Sequence, residues 1–475
     1  MSITIRFLLL SLLLFGRSWA ASDRPNIIVI LCDDLGYGDL ACYGHPHIKT
    51  PHLDQMAAEG IRFTDFYSTA PVCSPSRVGL MTGRSPNRAG VYDWIPPGRR
   101  SRPDRRDQVH LRESEITIPK LLKEAGYATA MAGKWHCNSR FNVPAQPQPG
   151  DAGFDHWLAT HNNAAPSHAN PNNYVRNGQA LGELEGYSCQ IVAKEGMEWM
   201  DQHRTQNANQ PFFLYLAFHE PHEPVASPEE LTESYRPVAY SEKEAEYFAN
   251  VENIDRAVGK VLGYLKRSKI DENTLVIFTA DNGPETLSRY SRASRSWGRA
   301  DPLRGMKLWT TEAGFRVAGI MRWPGQIARN QVSNQVVSAL DFLPTFCELA
   351  KVVPPTNREL DGTSFLPVLK GERIKREKPL LWAFYNALNS QQVAMRDGDF
   401  KVLARLELPK MSNLSKENID QIKAAELKEF TIYNLRHDIG EARNLAPDDT
   451  QLRNRLTRKL KERYSELLQG SYVWE

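Results

Sequence analysis

Short, uninterrupted apolar runs rich in Val, Ile and Phe recur along the chain, and each one stops abruptly at polar residues. Asn26-Ile27-Ile28-Val29-Ile30-Leu31 meets Cys32-Asp33-Asp34, and Tyr127-Ala128-Thr129-Ala130-Met131 leads to Gly133-Lys134-Trp135-His136. Further on, Phe212-Phe213-Leu214-Tyr215-Leu216-Ala217-Phe218 meets His219-Glu220-Pro221-His222, and Thr274-Leu275-Val276-Ile277-Phe278 leads to Asp281-Asn282-Gly283. Runs without polar alternation are how strands covered on both faces read, so they predict a mostly parallel sheet. Ligands of open parallel sheets sit beyond the carboxyl ends of the strands. The four polar endings are therefore expected to meet at one site, although they lie far apart in sequence.

The segments between the runs carry helical spacing. From Thr117 to Gly126 there is a capping Thr, Pro119 in the first turn and a terminating Gly. Between Glu242 and Ser268 the apolar positions Tyr247, Val251, Ile254, Val258, Val261 and Leu265 recur every three or four residues, as one buried helix face does. Val352-Val353-Pro354-Pro355 and the polar stretch from Gly371 to Lys378 suggest a boundary. Past it, 380–385 and 400–403 read as strands and Gln451 to Leu468 as a final helix. The expected fold is α/β: a large, mostly parallel β-sheet sandwiched by helices over 21–372, then a smaller C-terminal α+β subdomain, an antiparallel sheet plus helix, over 373–475.

Residues 1–20 combine Arg6, an apolar run from Phe7 to Phe15, and small residues at Ser18 and Ala20. That reads as a secretory signal peptide, because the run is well short of the ~20 residues needed to cross a bilayer. The expectation is an exported protein, periplasmic or extracellular, with no membrane insertion once the leader is cut. The remaining chain exceeds the ~250–300 residues at which one core stops growing, which agrees with a large unit plus a small one. Loss of Arg6 and Arg17 takes the formal charge from +3 to +1. Such a balance gives no general steering of polyanions, and no nucleic-acid partner is expected. The six cysteines are scattered without C-x-x-C spacing, which argues against a zinc knuckle, while export would permit one or two disulfides.

Asp33, Asp34, Asp281 and Asn282 supply hard oxygen ligands at two strand ends, suited to Ca²⁺ or, with added waters, Mg²⁺. Either pair alone reads equally as a helix cap or a turn. Cys73 stands before Ser74-Pro75-Ser76-Arg77, with Pro75 suited to a first helical turn and Gly83 to a stop. That position faces unpaired N–H groups and suits an anionic group; a thiol there would have a lowered pKa and could itself be a nucleophile.

Cys73-Ser74-Pro75-Ser76-Arg77 with Thr82-Gly83-Arg84, and Gly126-Tyr127 through Gly133-Lys134-Trp135-His136, resemble the two signatures of the formylglycine-dependent sulfatases, members of the alkaline-phosphatase-like superfamily. The resemblance runs on through Leu303-Arg304-Gly305-Met306-Lys307 to Tyr433-Asn434-Leu435 and Asn444-Leu445-Ala446, essentially the whole mature chain. It implies that a formylglycine-generating maturation enzyme oxidises Cys73 to formylglycine (3-oxoalanine), which acts as its hydrate. One hydroxyl attacks sulfur; deprotonating the other lets the adduct collapse and expel sulfate. It further implies that Asp33, Asp34, Asp281 and Asn282 bind the cation, which also contacts the hydrate made from Cys73. Arg77 and Lys134 would hold the hydrate, His136 would take up its proton, and His219 with Lys307 would serve the bridging oxygen.

His222 reads as a substrate contact or as part of a turn. His161, Asn162, Asn163 and His168 lie in a polar loop that could line a sugar subsite or simply be exposed. Arg99, Arg100, Arg102, Arg105 and Arg106 form a basic run, either a solvated loop or a contact for an anionic polysaccharide. Cys137-Asn138 stands where many relatives have Leu-Gly, and Ala313 and Ala318 replace a Gly and a Pro, departures that bear on substrate preference. The resulting expectation is an exported sulfatase acting on sulfated carbohydrate. The alternatives are a phosphate or phosphonate ester hydrolase on the same scaffold and a non-catalytic carbohydrate binder.

Overall fold

The computed structural model describes residues 24–98, 105–286, 297–413 and 415–475. The leader and Arg99, Arg100 and Arg102 of the basic run lie outside the described residues. Among the described residues, eleven strands form the main sheet: β1 (Asn26–Asp33), β2 (Ile61–Tyr67), β3 (Ala128–Lys134), β4 (His156–Thr160), β5 (Val175–Arg176), β6 (Gln179–Ala180), β7 (Phe212–Pro221), β8 (Thr274–Ala280), β9 (Arg316–Arg322), β10 (Gln331–Ser333) and β11 (Val337–Ser338). Their order is β10-β2-β9-β8-β1-β7-β3-β4-β5-β6, with β11 beside β2.

The four strands built from continuous apolar runs occupy the middle. β1 pairs in parallel with β7 and β8, and β3 pairs in parallel with β7 and β4. β9 enters antiparallel between β2 and β8, so the sheet is mixed but mostly parallel at its centre. Every residue of β1, β7 and β8 is buried, which explains why their sequences show no alternation. Each strand also outlasts its apolar run by two or three residues. The ladder needs only backbone groups, so pairing continues where the side chains turn polar, and the site residues ride on the last rungs.

The helices follow their local signals. Thr117 caps the helix Ile118–Glu124, its hydroxyl accepting the Lys120 N–H at 3.4 Å, and Gly126 follows with φ +85°. Ser241 caps Glu242–Arg267 by accepting the Glu244 N–H at 3.2 Å. That long helix reaches back to cap another: the Asp255 carboxylate accepts the backbone N–H groups of Leu53 at 2.7 Å and His52 at 3.2 Å, at the start of Pro51–Ala58.

A second, antiparallel sheet comprises β12 (Leu380–Ala383), β13 (Val393–Asp397), β14 (Phe400–Leu406) and β15 (Leu427–Asn434), in that order, with the helix Thr450–Gln469 after it. β13 and β15 were not legible as strands, and β12 stops two residues short of the expected Tyr385. The small sheet is welded to the large one through a charged seam. Phe315 stacks flat on Trp382 with ring centroids 4.0 Å apart. Beside it the fully buried Lys401 reaches Glu312 at 2.8 Å and Glu441 at 3.5 Å, and Arg396 reaches Asp65 at 3.1 Å. All six cysteines are unpaired, so the disulfides that export would permit are not made. Among the described residues no helix is long and apolar enough to cross a membrane.

Candidate active site

The ends of β1, β3 and β8 and the first turn of the helix Cys73–Thr82 meet at one buried cluster. Cys73 is the first residue of that helix, all ten residues of which are buried, and Gly83 ends it with φ +64° and an N–H bond to Gly79 O at 2.9 Å. Cys73 Sγ lies 3.3 Å from Asp33 Oδ1 and 3.3 Å from Lys307 Nζ. Around it three carboxylates each have a cation. Lys134 bonds Asp33, Lys307 Nζ lies 2.5 Å from Asp34 Oδ1, and Arg77 lies 2.7 Å from Asp281 Oδ2. Asn282 donates from Nδ2 to Asp34 Oδ1 at 2.7 Å, while its buried Oδ1 has no hydrogen-bond partner. Asp33, Asp34, Cys73 and His222 each offer a ligand atom within 4.8 Å of the others.

The backbone is shaped to bring these groups together. Asp34, His136 and Leu308 hold positive φ of 62°, 51° and 66°, a conformation that is costly for residues with a Cβ and recurs at functional sites. Gly133, with φ +110°, lets β3 press against β7: a Cβ there would stand 1.9 Å from Ala217 O. Gly283 is packed as closely, its absent Cβ 1.6 Å from Ala313 O. The segment holding Lys307 is pinned on both sides, Lys307 N–H to Pro284 O and Leu308 N–H to Pro71 O, each at 2.8 Å.

Burial dominates the electrostatics. It raises Asp33, but Lys134, His222 and Arg77 outweigh it and hold that carboxylate well below the usual range. Burial and the neighbouring Asp33 push Asp281 up to about 7. Cys73 departs from expectation: burial, reinforced by Asp33, pushes its thiol up to about 12 against the pull of Lys134 and Lys307. The helix start adds too little to offset the loss of hydration, and a thiolate is not favoured here. Burial and Lys134 hold His136 well below its ordinary value. Its Nε2 donates to Ile95 O at 3.0 Å, which leaves Nδ1 as a buried acceptor without a partner.

A cleft of about 330 Å³ opens above the cluster, lined by Cys73, Trp94, His136, Asn162, Asn163, His222, Glu223 and Lys307 among others. Three of the four candidate substrate contacts line it: His222, Asn162 and Asn163. The fourth, His161, faces a neighbouring cavity and bonds Asn138 O at 2.7 Å through Nε2. His168 is fully buried rather than in an exposed loop. His219, expected at the bridging oxygen, is absent from the lining. It is 1% exposed, with Nε2 2.7 Å from Thr160 Oγ1 and Nδ1 2.8 Å from Ser188 Oγ. Burial, then His168, holds it well below its ordinary value. The reason is that β7 runs to Pro221: His219 is still inside the strand, in the irregular stretch between the Ala217 and Pro221 pairs with β1, whereas His222 lies beyond its end. His222 Nδ1 donates to Glu223 O at 2.7 Å, and Nε2 stands 3.8 Å from Asp34 Oδ2. Trp94 and Glu223 also line the cleft, and neither carries a sequence signal, since both belong to irregular segments.

The chain is similar to known proteins in sequence and in fold. The sulfatase family model matches residues 25–352, and the model for the C-terminal region of N-sulphoglucosamine sulphohydrolase matches 306–469. The N-acetylgalactosamine-6-sulfatase of Canis lupus familiaris is 36% identical over 377 residues, covering 76% of this chain and 69% of its own. Arylsulfatase A of Homo sapiens is 36% identical over 412 residues, covering 82% and 76%. Among solved structures, Ps i-CgsB superposes with a TM-score of 0.78 at 28% identity over 95% of both chains, and has also been solved in complex with k-i-k-neocarrahexaose. The chain belongs to the sulfatase family, with an alkaline-phosphatase-like fold, and is a sulfuric ester hydrolase.

Proposed function

We propose that this sulfatase removes a sulfate ester from a sulfated glycan, using a formylglycine hydrate derived from Cys73 and a divalent cation, Ca²⁺ or alternatively Mg²⁺. The observation that carries the reading is the convergence of Asp33, Asp34, Asp281 and Asn282 on the Cys73 side chain at the buried start of a helix. Carboxylate and amide oxygens are the donors that hard cations take, and the unpartnered Oδ1 of Asn282 is an acceptor in want of one. The residues fit such an ion. Bound there, it would polarise the sulfate ester and add two positive charges to a cluster whose own three cations and three carboxylates cancel.

The remaining work falls to side chains of this chain. Arg77 is anchored on Asp281 and, at 2.9 Å, on Lys134 O, so it and Lys134 hold the side chain at position 73 in one orientation. His136 Nδ1 is an acceptor for its hydroxyl proton. Lys307, within reach of Sγ, binds the sulfate. His222, with one nitrogen tied to the Glu223 carbonyl, delivers a proton from Nε2 to the leaving oxygen, the task sequence reasoning gave to His219. The glycan substrate is supported by the relatives: N-acetylgalactosamine-6-sulfatases and a neighbour that holds a neocarrahexaose. Export and maturation by a formylglycine-generating enzyme belong to the same proposal, as does the division into 21–372 and 373–475.

The test has two readings on the protein from its native host. The mass of the peptide spanning Val72 to Arg77 distinguishes aldehyde from thiol at position 73. Rates on matched sulfate and phosphate monoesters are then compared with Ca²⁺ or Mg²⁺ supplied. The expected result is the aldehyde with sulfate favoured; an intact thiol at full turnover, or faster phosphate hydrolysis, would overturn the proposal.

A further inference from the structure

The cleft above Cys73 has a neighbour on the side of Asn162 and Asn163. A second cavity of about 800 Å³ adjoins it, lined by Pro97, Gly98, Arg140, Phe141, Val143 and His161 among others. Two segments of chain serve both spaces. The stretch 94–98 gives Trp94 to the cleft and Pro97 and Gly98 to the second cavity, and 161–163 gives His161 to the second cavity and both asparagines to the cleft. The wall between them is thin: the His161 ring stands 5.8 Å from His136 on the cleft side and 6.4 Å from Phe141 on the other. At this junction Asn162 Oδ1 and Asn163 Oδ1 are buried without a hydrogen-bond partner. Orphaned acceptors are costly unless something else supplies the donor, and a ligand hydroxyl or amide entering the cleft can do so in place of water.

The floor of the second cavity is preorganised. Gln146 Oε1 accepts the backbone N–H groups of Ser139 at 2.9 Å and Arg140 at 3.0 Å, and Gln146 Nε2 donates to Asp107 O at 2.9 Å. Gln148 Oε1 accepts the Asn142 N–H at 2.7 Å, and Gln148 Nε2 donates to Val143 O at 2.9 Å. Two glutamines thus hold a short loop that presents Arg140, Phe141 and a 44% exposed Val143. A rigid apolar shelf beside an exposed guanidinium fits a sugar ring with an acidic substituent: the C–H face rests on the shelf and the anion meets Arg140.

We propose that this cavity is a subsite for the sugar next to the sulfated one, so that the enzyme reads an oligosaccharide and not only a sulfated monosaccharide. The inference rests on the glycan-sulfatase reading above, and its test separates the two. kcat/KM is measured on an aryl sulfate, on 6-sulfated N-acetylgalactosamine with its parent sulfated di- and hexasaccharides, and on a neocarra-oligosaccharide series. The wild-type enzyme is expected to gain at least tenfold from the one-sugar to the two-sugar substrate of its preferred series, chiefly in KM. Phe141→Ala and Arg140→Ala, each checked for unaltered melting, are expected to cut that ratio severalfold. No turnover of any sulfate ester overturns the sulfatase reading. Turnover of the aryl sulfate with no gain from the second sugar, or a gain that survives both substitutions, overturns the subsite alone.

Discussion

Exchanging the two histidines that follow β7 separates catalysis from scaffolding. His222→Ala removes the proposed proton donor, whose worth as a general acid is about 10²–10⁴ in rate, or roughly 3–5 kcal/mol at the transition state. The loss is expected to depend on the leaving group. A sugar alkoxide needs the proton, so the full factor appears there, whereas a nitrophenolate leaves readily without one and most of its rate is kept. His219→Ala does something else. It removes one partner from each of Thr160 Oγ1 and Ser188 Oγ, 2.7 and 2.8 Å from the ring in a fully buried site, and leaves them Asn162 O and Tyr174 OH. Two lost hydrogen bonds at about 0.5–1.5 kcal/mol each lower the melting temperature by roughly 1–3 °C in a protein of this size. The assay is kcat on a sugar sulfate and a nitrophenyl sulfate side by side, with a thermal melt of each variant. The reasoning fails if His222→Ala slows both substrates by one common factor, or if His219→Ala reproduces the leaving-group dependence with its melting unchanged.

Gly133→Ala sets a Cβ 1.9 Å from Ala217 O at φ +110°, so β3 must shift from β7 and carry Lys134 with it; a melt several degrees lower and a large loss of kcat are expected, and wild-type behaviour in both would contradict the geometry. Lys401→Met leaves Glu312 and Glu441 facing each other without their shared cation, a loss of about 3–5 kcal/mol, read as a melting drop of about 3–5 °C that a second change, Glu312→Gln, partly restores. Burial raises Asp255 to about 7, its two backbone N–H partners notwithstanding. A carboxyl with a raised folded-state value contributes stability that is full at pH 4 and lost as pH rises through 7. The melting temperature of Asp255→Asn, taken relative to wild type, should therefore climb between pH 4 and 7 and level off above; a difference that does not vary with pH would refute the assignment.

How much of this was legible follows from what a sequence encodes locally. Burial on both faces writes a strand as an unbroken apolar run, so β1, β3, β7 and β8 could be read, along with the oxygen ligands at their tips. A cap writes itself too, as Thr117 did. β15 is only partly buried, and β13, though buried over four of its five residues, is short and ends in charge, so that Val393-Ala394-Met395-Arg396-Asp397 resembles many loops. The reach of a strand beyond its apolar run is set by backbone pairing, which no side chain reports. That is why the sequence does not report that His219 still lies inside β7 while His222 lies past its end. The thiol of Cys73 was misjudged for a similar reason: a helix start is local, but the burial that overrides it comes from segments hundreds of residues away.

The same distance hides the pairing of charges, and the pairing constrains the chemistry. Each carboxylate of the cluster has its nearest cation from another part of the chain, Lys134 for Asp33, Lys307 for Asp34 and Arg77 for Asp281, and Arg77 also reaches Asp33 at 3.8 Å. A cluster already neutral can be buried without an ion, which lets the apoprotein fold, and with the proposed divalent ion it carries a net charge equal and opposite to that of released sulfate. Removal of any one partner breaks that balance in a fully buried place, where an unmatched charge costs several kcal/mol. Substituting Lys134 or Arg77 should therefore injure folding as well as turnover. His222 is the exception. It stands at the cleft side of the cluster and its Nδ1 is tied to a backbone carbonyl, so replacing it leaves all three carboxylate–cation pairs in place.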